Sequence, residues 1–352
     1  MSDSHEAIEP ARWEDLSQLE KEFDDVDSEI LRQQSVLQAP LYEKRQELTS
    51  RMPDFWPMVF QQAPPEVDQF VQLSDVNVIS AIKNLTVTRF ETPPYSSSAE
   101  GNPRSVSIKF EFMPNEYFKD EILEKKFWFR RTRDSTATSL VSEPVKIHWK
   151  KGKDLTEGLT DAAVAAWEAE RKATAAAATT TTTNGVNGHS EEKKRPPPLP
   201  EQQAVVDKMK SITEGSLSFF AWFGFRGRHT TAEESEQANR REDERREQYQ
   251  KGEKLSTDVE NPLDYEEVNF HDEMEVFPGG EDLAVGISDE LWPNALKYYT
   301  QAYDGSGDES GFEDNASSEE ISDLEKLIGD DDNGGKGSEG EADGPPKKRR
   351  RS

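Results

Sequence analysis

Between Trp13 and Met52 the apolar positions fall at Leu16, Leu19, Phe23, Val26, Ile30 and Leu37, with Gln33 filling the step between the last two. Steps of three and four alternate, which marks a narrow stripe along one helix. Glu20, Lys21, Glu22, Asp24, Asp25, Asp27, Glu29 and Arg32 fill the other faces. Pro40 interrupts the pattern, which resumes one position out of phase at Leu41, Leu48 and Met52. A proline inside a helix removes one backbone hydrogen bond and costs about 3 kcal/mol. The spacing therefore predicts one long helix kinked near Pro40, or two helices in line. At ~1.5 Å per residue it reaches about 55 Å, more than the width of a small domain. Either the helix lies along its own domain, or its stripe pairs, parallel or antiparallel, with that of a second copy. Pairing makes Leu16, Leu19, Phe23, Val26, Ile30, Leu37, Leu41 and Leu48 a dimer interface.

The pattern then changes. Asp54 stands where it can cap a new helix, and Phe55, Trp56, Val59 and Phe60 are too apolar for an exposed loop. Short helices are expected over 66–71 and 76–82. Leu85 and Val87 alternate with threonines, and Val106, Ile108, Phe110 and Phe112 alternate with Ser107, Lys109 and Glu111. Phe127-Trp128-Phe129 is a third strand candidate, and Val145, Ile147 and Trp149, alternating with Lys146, His148 and Lys150, a fourth. Most connections are too short for a helical crossover, so the sheet is expected to be antiparallel. Its single apolar face implies helices on one side, an α+β class. Residues 161–172 read as helix, and Ser216 to Phe225 is the densest aromatic cluster, expected as a core helix on the sheet. Residues 230–254 are almost wholly polar, either a solvated helix or a loop. Leu296 and Tyr299, with Trp292 ahead of them, are expected to face inward on the last helix.

Composition divides the chain. Of 352 residues, 33% are hydrophobic and 32% charged, so part of the chain lacks a packed core. Residues 173–200, an Ala/Thr tract followed by Lys193-Lys194-Arg195-Pro196, read as a disordered insertion, and 230–280 as a charged one. The expected organisation is a helix over 1–52, a globular body over 53–303 and a disordered acidic tail over 304–352. The net charge of −28 repels nucleic acid and anionic membranes and attracts cationic partners. No apolar run approaches the ~20 residues of a membrane span. The acidic start lacks a secretion signal's apolar core.

Little here points to catalysis. The chain has no cysteine, which excludes disulfides and thiolate chemistry. His5, His148, His189, His229 and His271 do not stand at metal-ligand spacing. There is no phosphate-cradling glycine loop, and carboxylates are too abundant to single out an acid–base pair. We therefore nominate no catalytic, cofactor or metal residue. The terminal Lys347, Lys348, Arg349, Arg350 and Arg351 resemble a nuclear import signal, implying an importin partner and a nuclear protein that can shuttle to the cytoplasm. Ser306, Ser310, Ser317 and Ser322 each precede an acid by three residues, which suits an acid-directed kinase.

Five runs, in order, carry a resemblance. Leu41-Tyr42-Glu43-Lys44-Arg45-Gln46-Glu47-Leu48 with Pro53-Asp54-Phe55-Trp56 is similar to the end of the backbone helix in the nucleosome assembly protein family, and closest to its SET/template-activating-factor branch. The others are 112–118, 147–156, Ser218-Phe219-Phe220-Ala221-Trp222-Phe223 and 291–299. The resemblance implies an "earmuff" α+β domain on each of two long paired helices. It further implies an ATP-independent histone chaperone whose acidic concave face and tail hold core histones. Relatives in this branch also inhibit a protein phosphatase, and a fungal relative partners a histone acetyltransferase, so a regulatory binding protein is the alternative. On this reading Asp272, Glu273, Glu275, Glu281, Asp282, Asp289 and Glu290 contact histone, and no sequence-specific nucleic-acid binding is expected. The two insertions, and a tail diluted by glycine and serine, depart from the family pattern.

Overall fold

The computed structural model describes residues 13–96, 101–132, 137–181, 197–212, 217–228, 230–251 and 265–306. Its first element, α1 (Trp13–Thr49), is one helix of 37 residues with Pro40 inside it. The proline does not divide it into two helices. Pro40 is exposed, so its ring faces solvent. Met52 lies beyond the helix end and packs against the core instead of extending the stripe.

Three short helices come next, α2 (Phe55–Gln61), α3 (Pro65–Asp68) and α4 (Val76–Ile79). Asp54 holds the N-cap position of α2, but its side chain caps nothing. It contributes its left-handed φ of 56°, a conformation that Asp tolerates better than most residues. Phe55, Trp56, Val59 and Phe60 are buried as expected.

The sheet contains β1 (Ile82–Thr88), β2 (Val106–Phe112), β3 (Ile122–Arg131) and β4 (Thr138–Ser142), all antiparallel and in that order. Phe110 sits opposite Leu85 on one side and Leu123 on the other, so the large apolar residues share one face. Three of the four expected strands are present. The fourth is not 145–149, where only Trp149 makes an isolated bridge, to Phe118. Ile147 is buried there, so the alternation reports burial of an extended chain and not membership of the sheet.

The apolar face receives the aromatic cluster. Phe219–Gly224 is a buried 3₁₀ turn, not the α-helix expected, and all six residues are buried. Trp222 stacks on Phe127 with ring centroids 5.2 Å apart. Lys125 projects from β3 into this layer with no exposed surface. Its Nζ donates to the carbonyls of Glu143, Phe223 and Phe225 at 2.9, 3.2 and 2.9 Å. One cation thus ties the end of the turn, at Phe223 and Phe225, to the chain after β4 at Glu143.

Both stretches read as insertions contain helix among the described residues. Helix α5 (Leu159–Thr181) continues into the Ala/Thr tract, and α6 (Pro200–Ser211) begins at its far end. The polar stretch forms α7 (Ala232–Gln250), opened by a reciprocal cap between Thr231 and Glu234. It docks by Ser235, whose Oγ accepts from the Arg131 backbone, and by the buried Ala238. After α8 (Tyr265–Met274), Val276 and Phe277 enter the core. Helix α9 (Gly280–Val285) runs into a wide π turn over Gly286–Leu291 before α10 (Ala295–Ser306). A side chain at Gly280 would run into the ring of Phe225.

Leu296 is exposed, contrary to expectation. Trp292 is buried as expected; the other inward positions are Leu291, Ala295, Tyr298 and Ala302, and Tyr299 is half-buried against Phe55. A turn over 292–294 separates Trp292 from α10, so Trp292 and Leu296 are not on one continuous helical face. The import run 347–351 and Ser310, Ser317 and Ser322 lie outside the described residues, as does 182–196.

Candidate dimer and client-binding surfaces

Helix α1 presents two faces. Leu31, Gln38, Tyr42 and Arg45 turn toward the globular body and line clefts against β1, Tyr95 and Trp292. Tyr42 packs on Trp292 with ring centroids 4.0 Å apart. The Arg45 guanidinium lies 4.5 Å from the Trp292 ring centroid and 4.8 Å from that of Tyr42. It donates to the carbonyls of Trp292 and Pro293 at 2.6 and 3.3 Å. Burial lowers its pKa to about 10.

The other face carries the stripe. Leu16, Leu19, Phe23, Val26, Ile30, Leu37, Leu41 and Leu48 are all exposed in the protomer, Phe23 by 65% and Leu37 by 72%. At 3.6 residues per turn the two faces lie about 90° apart around the helix. The helix therefore lies along its own globular body and still leaves the stripe uncovered. Soluble monomers rarely expose an apolar strip of this extent. Covering it would contribute on the order of 10 kcal/mol per helix before the cost of association.

The seven carboxylates are not equivalent. Asp272 and Glu273, near the end of α8, are exposed and stand 3.6 and 3.1 Å from Arg228 and Lys210. Asp282 is exposed on α9. Asp289 is exposed and accepts from Arg89 at 2.8 Å. Glu290 accepts the Tyr298 hydroxyl at 2.6 Å, and burial together with that bond pushes Tyr298 up to about 12. Glu281 accepts the Leu140 backbone N–H at 2.9 Å and so covers part of the free edge of β4. Glu275 accepts the backbone N–H groups of Gly227 and Phe277 at 2.8 and 3.2 Å. Burial pushes both carboxyls up from the usual range. Glu275 and Glu281 thus support the fold, while Asp272, Glu273, Asp282 and Asp289 face outward. Asp272, Glu275 and Glu281 meet at a cleft of about 300 Å³ whose walls include Phe225, Arg228 and His271.

Sequence reasoning missed Arg45 as the residue that fixes α1 to the body, although it lies inside the run 41–48. It also missed Arg104, which reaches Asp24 on α1 at 2.6 Å. Neither role leaves a local signal, because each partner is far away in the chain.

The sequence model described as nucleosome assembly protein (NAP) matches residues 9–302. This chain belongs to the nucleosome assembly protein family. A putative nucleosome assembly protein of Schizosaccharomyces pombe is 34% identical over 152 residues, which are 41% of this chain and 59% of that protein. NAP1-related protein 2 of Arabidopsis thaliana is 28% identical over 146 residues, 42% of this chain and 51% of that one. The chain thus spans between half and three-fifths of the length of these curated relatives. Among solved structures, the Vps75 histone chaperone is similar at 21% identity and a TM-score of 0.46, covering 82% of this chain and 97% of that one. Within the nucleosome assembly protein family match lie α1, the whole sheet and α10 as far as Ala302.

Proposed function

We propose that this member of the nucleosome assembly protein family is an ATP-independent histone chaperone that works as a homodimer. The observation that carries the reading is the family match over 9–302, on a chain whose net charge is −28. In this reading residues 1–52 pair the two copies through the exposed stripe, 53–303 carry the client surface, and 304–352 add acidic charge and the import run Lys347 to Arg351. Asp272, Glu273, Asp282 and Asp289 contact the client, with Glu275, Glu281 and Glu290 contributing field from within. A negative surface neutralises histone charge, speeds encounter and suppresses non-specific DNA contacts. DNA, the denser polyanion, then draws the histones off as nucleosomes form. No step in this scheme requires turnover of a nucleotide or a catalytic residue.

The test is a titration of the full chain with each core histone pair at several salt concentrations, repeated without the segment after Tyr303. Binding that weakens steeply with salt supports the reading. Absence of binding by both forms at physiological salt overturns it. Pull-down from nuclear extract separates it from a regulator of an acetyltransferase or phosphatase, according to which partner survives moderate salt.

A further inference from the structure

The docking of α1 changes character near Pro40. On its C-terminal side the contacts are apolar or enclosed. Thr49 is buried, as is Ala39 beside the proline, and Tyr42 and Arg45 pack on Trp292. On its N-terminal side no residue between Asp15 and Gln38 is buried. That part meets the globular body through polar groups. Arg104 Nη2 donates to Asp24 Oδ1 at 2.6 Å, the Tyr249 hydroxyl to Asp15 Oδ1 at 2.7 Å, and Arg32 Nη1 to the Gly101 carbonyl at 3.0 Å. A cleft of about 200 Å³ lies beneath the helix between Leu31 and Tyr42.

These two kinds of contact respond differently to the solvent. A partly exposed ion pair such as Asp24–Arg104 contributes about 0–1 kcal/mol and weakens with salt, and the two exposed or half-buried charge-assisted hydrogen bonds beside it add little more. Apolar packing does not weaken with salt. Between the two regimes sits a proline, which has no N–H to bond the carbonyl one turn earlier, so the helix is least restrained against bending there.

We infer that α1 is a two-part arm. Its inner part, after Pro40, is fixed to the globular body. Its outer part is latched by the Asp24–Arg104, Asp15–Tyr249 and Arg32–Gly101 contacts, with Asp24–Arg104 the one ion pair among them, and swings about Pro40 when competing charge opens that pair. The Arg104 guanidinium holds the Asp24 carboxyl below its usual range, in keeping with a formed latch. In the proposed dimer the swing resets the spacing of the two globular bodies, and a cationic client competes directly for Asp24. That consequence rests on the dimer reading; the latch itself does not.

The absence of native cysteine makes the test direct. Spin labels are placed in the full chain at Glu22→Cys with Lys119→Cys, and separately at Glu47→Cys with Lys119→Cys. Labelled chains are diluted with unlabelled ones, so that distances within one protomer are read by pulsed dipolar spectroscopy. Raising salt from about 0.1 M to about 1 M, which shortens the screening length from about 10 Å to about 3 Å, is expected to lengthen and broaden the first distance and leave the second unchanged. Arg104→Ala should give the broad distribution already at low salt, with the second distance intact as the control for folding. Pro40→Ala should narrow the response. A first distance indifferent to both salt and Arg104→Ala overturns the latch. Two distances that move together, or a Pro40→Ala variant that swings as widely as the parent, overturn the hinge. Sedimentation of the same samples reports the dimer separately.

Discussion

Arg45 is enclosed by its contact with Trp292. The guanidinium lies over the indole and donates to that residue's own carbonyl at 2.6 Å, joining α1 to the start of the last helix across 247 positions of sequence. A planar guanidinium stacks its face on the ring while its edge donates, a geometry an ammonium matches less well. Arg45→Ala should lower stability by roughly 2–4 kcal/mol, combining a charged hydrogen bond with a desolvated cation–π contact. Arg45→Lys should recover less than half. Urea unfolding followed by tryptophan fluorescence measures both.

Lys125 sets a pH dependence. Burial lowers its pKa to about 7, against 10.5 for an ordinary lysine. Between those values the unfolded chain binds a proton that the folded chain has released, so stability rises with pH across that window. Lys125→Met removes this rise. It also removes the donor shared by the Glu143, Phe223 and Phe225 carbonyls, of which Phe223 keeps the Val145 N–H and Glu143 the Ser142 hydroxyl, which should cost roughly 1–3 kcal/mol. Chemical denaturation of both proteins at the two ends of the window checks the sign.

Glu170 works in the opposite sense. Burial alone would raise its carboxyl, but the Arg226 guanidinium, paired at 2.9 and 2.6 Å, and the Gln202 amide bring it below the usual value. The pair therefore stabilises the fold above the ordinary glutamate range and loses that contribution as pH falls through the lowered value. The stability difference between the parent and Glu170→Gln should be largest at neutral pH and shrink in acid.

Client binding should respond to charge by degrees. Neutralising Asp272, Glu273, Asp282 and Asp289 one after another should weaken histone affinity stepwise, with no single change abolishing it, as expected for a field and not for one catalytic group. Glu275→Gln should instead show mainly in the melting temperature, because its oxygens hold the Gly227 and Phe277 backbones. Calorimetric titration alongside thermal melts separates the two.

What could be read from the sequence depended on how local the signal was. The stripe of α1 and the alternation of Val106, Ile108, Phe110 and Phe112 are short-range patterns, and both are present as read. Strand β4 was not legible, because Leu140 and Val141 are its only apolar residues and both are buried, which erases the alternation. Helix α7 looked like surplus charge because it docks through Ser235 and Ala238, which carry little hydrophobic signal. The face of α10 was misjudged at Leu296 because the turn over 292–294, which separates Trp292 from the helix, leaves no mark in the apolar spacing. The carboxylates were recognised as a group, but not their roles. Asp289 meets an arginine 200 residues away, and Glu281 caps a strand 141 residues away.

The central claim is that two copies join along α1 through a stripe the protomer leaves bare. Sedimentation velocity of the full chain at micromolar concentration, beside a Phe23→Asp, Leu37→Asp double variant, tests it most directly. Neither side chain is in the core, so the variant should keep the parent's circular dichroism. The account predicts a species of twice the chain mass for the parent and of single mass for the variant. A parent that sediments as a single chain, or a variant that remains paired, would contradict it.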